Sequence, residues 1–125
     1  MLTNSPIYAT LPAADLERAK RFYAEKLGLT PESELEGGLF YRCGRDSRFS
    51  VFTSLGEASG THTQAMWLVE DVESAVAALK ARGVVCEEDD VPELSTVNNI
   101  ATLGPGKGAW FQDSEGNLLS LVQFD

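Results

Sequence analysis

The sequence holds one histidine, His62, and two cysteines, Cys43 and Cys86. A single imidazole leaves no material for a Ser/His/Asp set, and neither a Cys–His pair nor a G-x-S-x-G elbow is present. Neither cysteine sits in a C-x-x-C or Cys/His cluster, so nothing points to a thiolate zinc site. Both lie in or near apolar runs and are expected to be reduced, buried thiols. Basic residues are also scarce: Lys and Arg number 10 against 19 Asp and Glu, for a net charge of −9. That balance repels a phosphate backbone and excludes nucleic acid as a partner. It would favour cationic ligands, but a solvated surface explains it equally. No stretch approaches the roughly 18 apolar residues of a membrane span. The opening MLTNSPIYATLP has no basic region followed by a long apolar run. The expectation is a cytoplasmic protein with no membrane partner.

What remains is enough for a core. A chain of 125 residues, 43% hydrophobic, makes one domain over 1–125 and buries roughly two-thirds of its unfolded surface. The chain also repeats itself. Asp15-Leu-Glu-Arg-Ala and Asp71-Val-Glu-Ser-Ala each follow an apolar run, and each begins with an Asp suited to cap a helix. Leu16, Ala19, Phe22, Tyr23 and Leu27 keep helical spacing, as do Val72, Ala75, Val76 and Leu79. Gly28 and Gly83 fall where helices end. Each helix precedes strand-like runs joined by turns: Leu39–Cys43 with Phe49–Thr53, and Ala109–Gln112 with Leu118–Phe124. Further strands are expected near Thr30–Leu35 and Val84–Glu88. The polar stretch 56–63 reads as a linker between a first βαβββ module, 6–55, and a second, 64–125. The fold class is therefore α+β, with two half-sheets closing on a shared cleft and helices on the outer faces.

The chain resembles the vicinal oxygen chelate superfamily, which includes glyoxalase I, extradiol dioxygenases, fosfomycin-resistance enzymes and bleomycin-resistance proteins. The resemblance rests on Leu11-Pro-Ala-Ala-Asp15-Leu, Arg21-Phe22-Tyr23, Lys26-Leu27-Gly28-Leu29, Val69-Glu-Asp71-Val and Trp110-Phe-Gln-Asp113-Ser-Glu-Gly116-Asn117. It implies a glyoxalase/bleomycin-resistance-type fold with a cleft in a curved mixed sheet, and pairing into homodimers. In metal-dependent members, ligands lie on the first and last strands of each module. Carried onto this sequence, those positions are Tyr8, Ser50, Gln64 and Ser120. Divalent metals in such sites want imidazole or carboxylate donors, so the resemblance without its ligands implies no catalytic metal and no cofactor. His62 falls two residues from Gln64 and reads as an exposed linker residue.

Alternate strand positions supply a candidate cleft: Tyr8, Thr10, Ser50, Phe52, Gln64, Met66, Trp110, Gln112, Ser120 and Val122. Aromatic groups mixed with neutral hydrogen-bonding groups suit a small organic ligand. Plain core packing competes for the aromatic residues, and Phe111 is the alternative to Trp110. Gly104-Pro-Gly-Lys-Gly108 lacks Walker spacing and reads as a mobile loop at the cleft mouth. Arg42, Arg45 and Arg48 read as a hairpin surface, and Glu87–Asp90 as a solvated loop. The leading function is a non-catalytic small-molecule binder, for an antibiotic-like or hydrophobic compound. A second reading is a lyase or isomerase with atypical or no metal, using Tyr8 as acid and Gln64 to polarise a carbonyl. A third is an interaction module whose cleft is filled by its own side chains.

Overall fold

The computed structural model describes all residues except Leu55, Ser59, Asp89, Pro92, Glu93, Gly104 and Asp125, and it omits the side chains of Asp90, Val91, Leu94, Ser95 and Leu103. In the first module, β1 (Ala9–Ala13) leads to α1 (Leu16–Leu27), then β2 (Ser33–Leu35), β3 (Gly38–Cys43) and β4 (Ser47–Thr53). In the second, β5 (Thr63–Leu68) leads to α2 (Val72–Ala81), then β6 (Asp90–Val91), β7 (Leu94–Val97), β8 (Ile100–Leu103), β9 (Gly106–Gln112) and β10 (Leu118–Phe124). The sheets run β1-β4-β3-β2 and β5-β10-β9-β8-β7-β6. Each module's first strand lies parallel to its last, β1 on β4 and β5 on β10. The edges β1 and β5 meet, so the two sheets form one curved surface.

The helices start where their Asp caps dictate. Asp15 Oδ1 accepts from Arg18 N at 3.0 Å, and Asp71 Oδ1 accepts from Glu73 N and Ser74 N. α1 ends at Gly28, whose φ of 70° supplies the left-handed cap. Tyr23 on α1 is fully buried and packs on Tyr41 and Phe49 at centroid distances of 5.4 and 5.6 Å. Phe49 meets Trp67 of the second module edge-on at 5.8 Å. One apolar core therefore spans both modules, with Leu11, Val51, Val72, Phe111 and Leu119 near its centre.

The closing motif of the sequence turns out to be a clasp. Asp113 Oδ1 accepts from Glu115 N at 2.8 Å and Asn117 N at 3.0 Å, which folds the β9–β10 turn. Asp113 Oδ2 accepts from Asn117 Nδ2 and, at 2.7 Å, from Tyr23 Oη of α1. Asn117 Nδ2 also reaches Pro12 O, and Glu115 takes Asp15 N and the Arg18 guanidinium. The second module's turn thus binds the first module's helix start.

Three expectations need correcting. Gly104–Gly108 is not a loop throughout: Gly104 lies outside the described residues, but Gly106–Gly108 opens β9. Gly106 is glycine because a Cβ there would overlap the Gln123 carbonyl oxygen of β10. Val84–Glu88 forms only an isolated bridge, Cys86 to Phe111. The second module also carries a β7–β8 hairpin absent from the sequence reading. It turns on Asn98 and Asn99, with φ of 54° and 70°, the left-handed pair that a two-residue hairpin requires.

Candidate functional site

Residues paired across a sheet share a face, so the strand register fixes what the open face presents. The helix side takes Leu11, Val51 and Leu39 in one row and Ala65, Leu119 and Phe111 in another. The open side takes the alternating rows. In the first module these are Thr10, Ser50 and Phe40, then Pro12, Phe52 and Gly38. In the second they are Met66, Ser120 and Trp110, then Leu118 with Gln112. Tyr8, just ahead of β1, sits edge-on to Phe40 at 6.4 Å. The register sets Trp110 on the open face and Phe111, 1% exposed, in the core.

The face has an apolar rim and a quiet floor. Tyr8, Phe52, Met66 and Leu68 are 40, 36, 54 and 68% exposed. On the same face Ser50 and Ser120 are buried, at 5 and 2% exposed. Gln64 departs from the pattern. β10 shifts register between Leu118 and Leu119, leaving Gln64 as the extra residue of a bulge. Its amide then donates to Asn117 Oδ1 at 3.0 Å and accepts from Leu118 N at 3.4 Å. Gln64 is occupied by the clasp.

A 520 Å³ cavity at one end of this face is lined by Gly60–Thr63, Glu87, Trp110, Gln112 and Leu118. Of the cleft candidates from the sequence, it gathers only Trp110 and Gln112. Met66 lines a separate 360 Å³ hollow beside Ala9, Phe49 and Trp67. Trp110 is fixed by its Nε1, which donates to Thr63 Oγ1 at 3.1 Å. Glu87, dismissed in sequence as part of an acidic loop, belongs to this cavity: its N–H donates to Trp110 O at 2.7 Å and sets it beside the indole. The exposed His62 lines the same wall.

Tyr8, Ser50, Gln64 and Ser120, the positions that the resemblance marks for a metal, do not fit one here. They present a half-exposed phenol, two buried hydroxyls and an amide engaged with Asn117. Neutral oxygens of this kind are poor donors for divalent transition metals. No group of three His, Cys, Asp or Glu gathers among the described residues.

Fold and site together define a two-module βαβββ protein with an aromatic-rimmed cleft. The family model of the Glyoxalase/Bleomycin resistance protein/Dioxygenase superfamily matches residues 6–121, and the chain belongs to that superfamily. No curated protein sequence matches it. Among solved structures, the chain is similar to TnmS3, an antibiotic binding protein from Streptomyces sp. CB03234. That match has 23% identity and a TM-score of 0.73, over 100% of this chain and 99% of that one. The glyoxalase family protein from Enterococcus faecalis matches at 22% identity and a TM-score of 0.71, over 98% and 99%. Oxidase ChaP-H2 matches at 20% and 0.71, over 98% and 95%. At these identities the structures share the fold.

Proposed function

We propose that this chain is a metal-independent binding protein for a small, hydrophobic, antibiotic-like molecule. The observation that carries the reading is the pairing of an exposed apolar rim, Tyr8, Phe52 and Met66, with the hydroxyl residues Ser50 and Ser120 on the same face. A planar ligand would stack on the rim and bond to the hydroxyls, as in apolar sites with a few polar groups. Thr10, Trp110 and Gln112 extend the same face. Gln64 contributes by fixing the turn beside it. The antibiotic-binding TnmS3 has the same fold, which supports the reading.

A homodimer is part of this proposal, since Leu35, Leu68 and Phe124 also stand exposed around the sheet. A cytoplasmic location agrees with two free thiols, and among the described residues no helix is long and apolar enough to cross a membrane. The test is elemental analysis of tag-free protein after incubation with Zn²⁺, Ni²⁺, Mn²⁺ and Fe²⁺, followed by a thermal-shift screen of aromatic antibiotics. No retained metal and a rise in Tm with an aromatic compound are expected. About one metal per chain, with turnover of a thiol hemiacetal, would instead make it a metal-dependent enzyme.

A further inference from the structure

Behind the sheet, on the helix side, a further cavity of 450 Å³ opens between the C-terminal ends of α1 and α2, the β3–β4 turn and the end of β5. Its floor is Leu79, Phe111 and Leu121, none more than 7% exposed, and half-buried Trp67 makes one wall. The charges around it invert those of the whole chain. Lys26, Arg42 and Arg82 line it and no Asp or Glu does, in a sequence with 19 acidic and 10 basic residues. None of these three cations forms an ion pair among the described residues, whereas Arg18, Lys20, Arg48 and Lys107 all do. Lys26 Nζ donates to Arg82 O at 2.6 Å, and Arg82 Nη1 to Lys26 O at 3.4 Å. The crossed contacts hold both cations at the junction of the helix ends and leave most of their N–H donors unspent.

We propose that this cavity is a second binding site, for a small amphipathic carboxylate of the medium-chain fatty-acid class. The alkyl body would lie against Trp67 and Phe111, and the carboxylate would take the free donors of Lys26 and Arg82. A cationic ligand would meet like charges here. A neutral apolar ligand would cover two cations and return no bond to them. The volume falls in the ordinary range for small-molecule sites. The site shares no lining residue with the 520 Å³ cavity beside Trp110, and it meets the hollow beside Met66 through Cys43, Gly44, Trp67 and Leu68.

Cys43 gives a direct readout, because it lines this cavity, is half-buried and is free, while Cys86 is buried. The experiment measures binding of decanoate and of decylammonium to the whole chain by equilibrium dialysis, with alkylation of Cys43 by iodoacetamide followed by mass spectrometry. Decanoate should bind stoichiometrically and slow Cys43 alkylation, and decylammonium should do neither. Lys26→Gln and Arg82→Gln should each weaken decanoate about ten-fold, as loss of one charge-assisted hydrogen bond does, and Arg82→Lys should retain most of it. Equal binding of the two amphiphiles, or Cys43 alkylation unchanged at saturating decanoate, overturns the proposal without any variant having to fold.

Discussion

Taking one oxygen atom from either of two core tyrosines should move stability in opposite directions. Tyr23 and Tyr41 are 0 and 1% exposed and 5.4 Å apart between ring centroids, so Tyr→Phe makes the same chemical change in almost the same surroundings. Their hydroxyls differ. Tyr23 Oη donates to Asp113 Oδ2 at 2.7 Å, while Tyr41 Oη has no hydrogen-bond partner among the described residues. A hydrogen bond to a carboxylate contributes roughly 1.5–3 kcal/mol. Asp113 keeps three other donors, from Glu115 N, Asn117 N and Asn117 Nδ2, so Tyr23→Phe should cost about 2 kcal/mol. A buried hydroxyl without a partner costs roughly 1–3 kcal/mol, against a few tenths for the small void its removal leaves. Tyr41→Phe should therefore stabilise by about 1 kcal/mol. For a domain of this size each kcal/mol moves Tm by roughly 3–5 °C. Urea titration and differential scanning calorimetry of both variants would separate them by about 3 kcal/mol. Equal destabilisation of the two would refute the reasoning, since it would require Tyr41 to be as well bonded as Tyr23.

Three further outcomes follow from the geometry. The Arg18 guanidinium holds Glu115 at a pKa of about 2, against an ordinary value of 4.5, and the Glu115 side chain is fully covered. A depressed carboxylate gives stability that is complete above pH 4.5 and lost as pH falls towards 2; with Arg18 half exposed it amounts to about 1–2 kcal/mol. Glu115→Gln should flatten the acid limb of a plot of urea midpoint against pH, and an unchanged limb would remove Glu115 from the account. Gly106→Ala pushes a methyl group into the Gln123 carbonyl and should cost roughly 1–3 kcal/mol in chemical denaturation, where an ordinary strand Gly→Ala gains stability. Asp71→Ala removes a cap that accepts from Glu73 N and Ser74 N and should cost about 1 kcal/mol, read from the same denaturation curves.

What the sequence made legible was local. Asp15 and Asp71 mark helix starts because a cap needs only its next three residues, and the apolar period of α1 places Tyr23 on the buried face. Thr10, Ser50, Met66 and Ser120 could be assigned to one face by parity, whereas the choice between Trp110 and Phe111 needed the β9–β10 register. Gln64 could not, because the bulge that turns its amide towards Asn117 arises from the pairing of β5 with β10, strands separated by α2 and β6 to β9. Gly106 misled for a similar reason: its neighbour is Gln123, and a glycine-rich stretch looks the same whether it forms a loop or a crowded strand. Glu87 was lost in an acidic run, and only the backbone bond to Trp110 sets it beside the indole. The Asn98-Asn99 turn carried a hairpin signal of its own, muted by the polar segment around it.

The clasp at the β9–β10 turn bears on assembly. Asp113, Glu115 and Asn117 grip Tyr23, Arg18 and Pro12, which all belong to the other module. Nothing in that grip depends on both modules sharing a backbone, so a module from a second molecule offers the same donors and acceptors. What favours the internal partner is the tether from Thr53 to Thr63, which keeps its local concentration high. Exchange of modules between two copies would conserve every one of these bonds, and shortening that tether is the change most able to turn a self-contained chain into an interlocked pair.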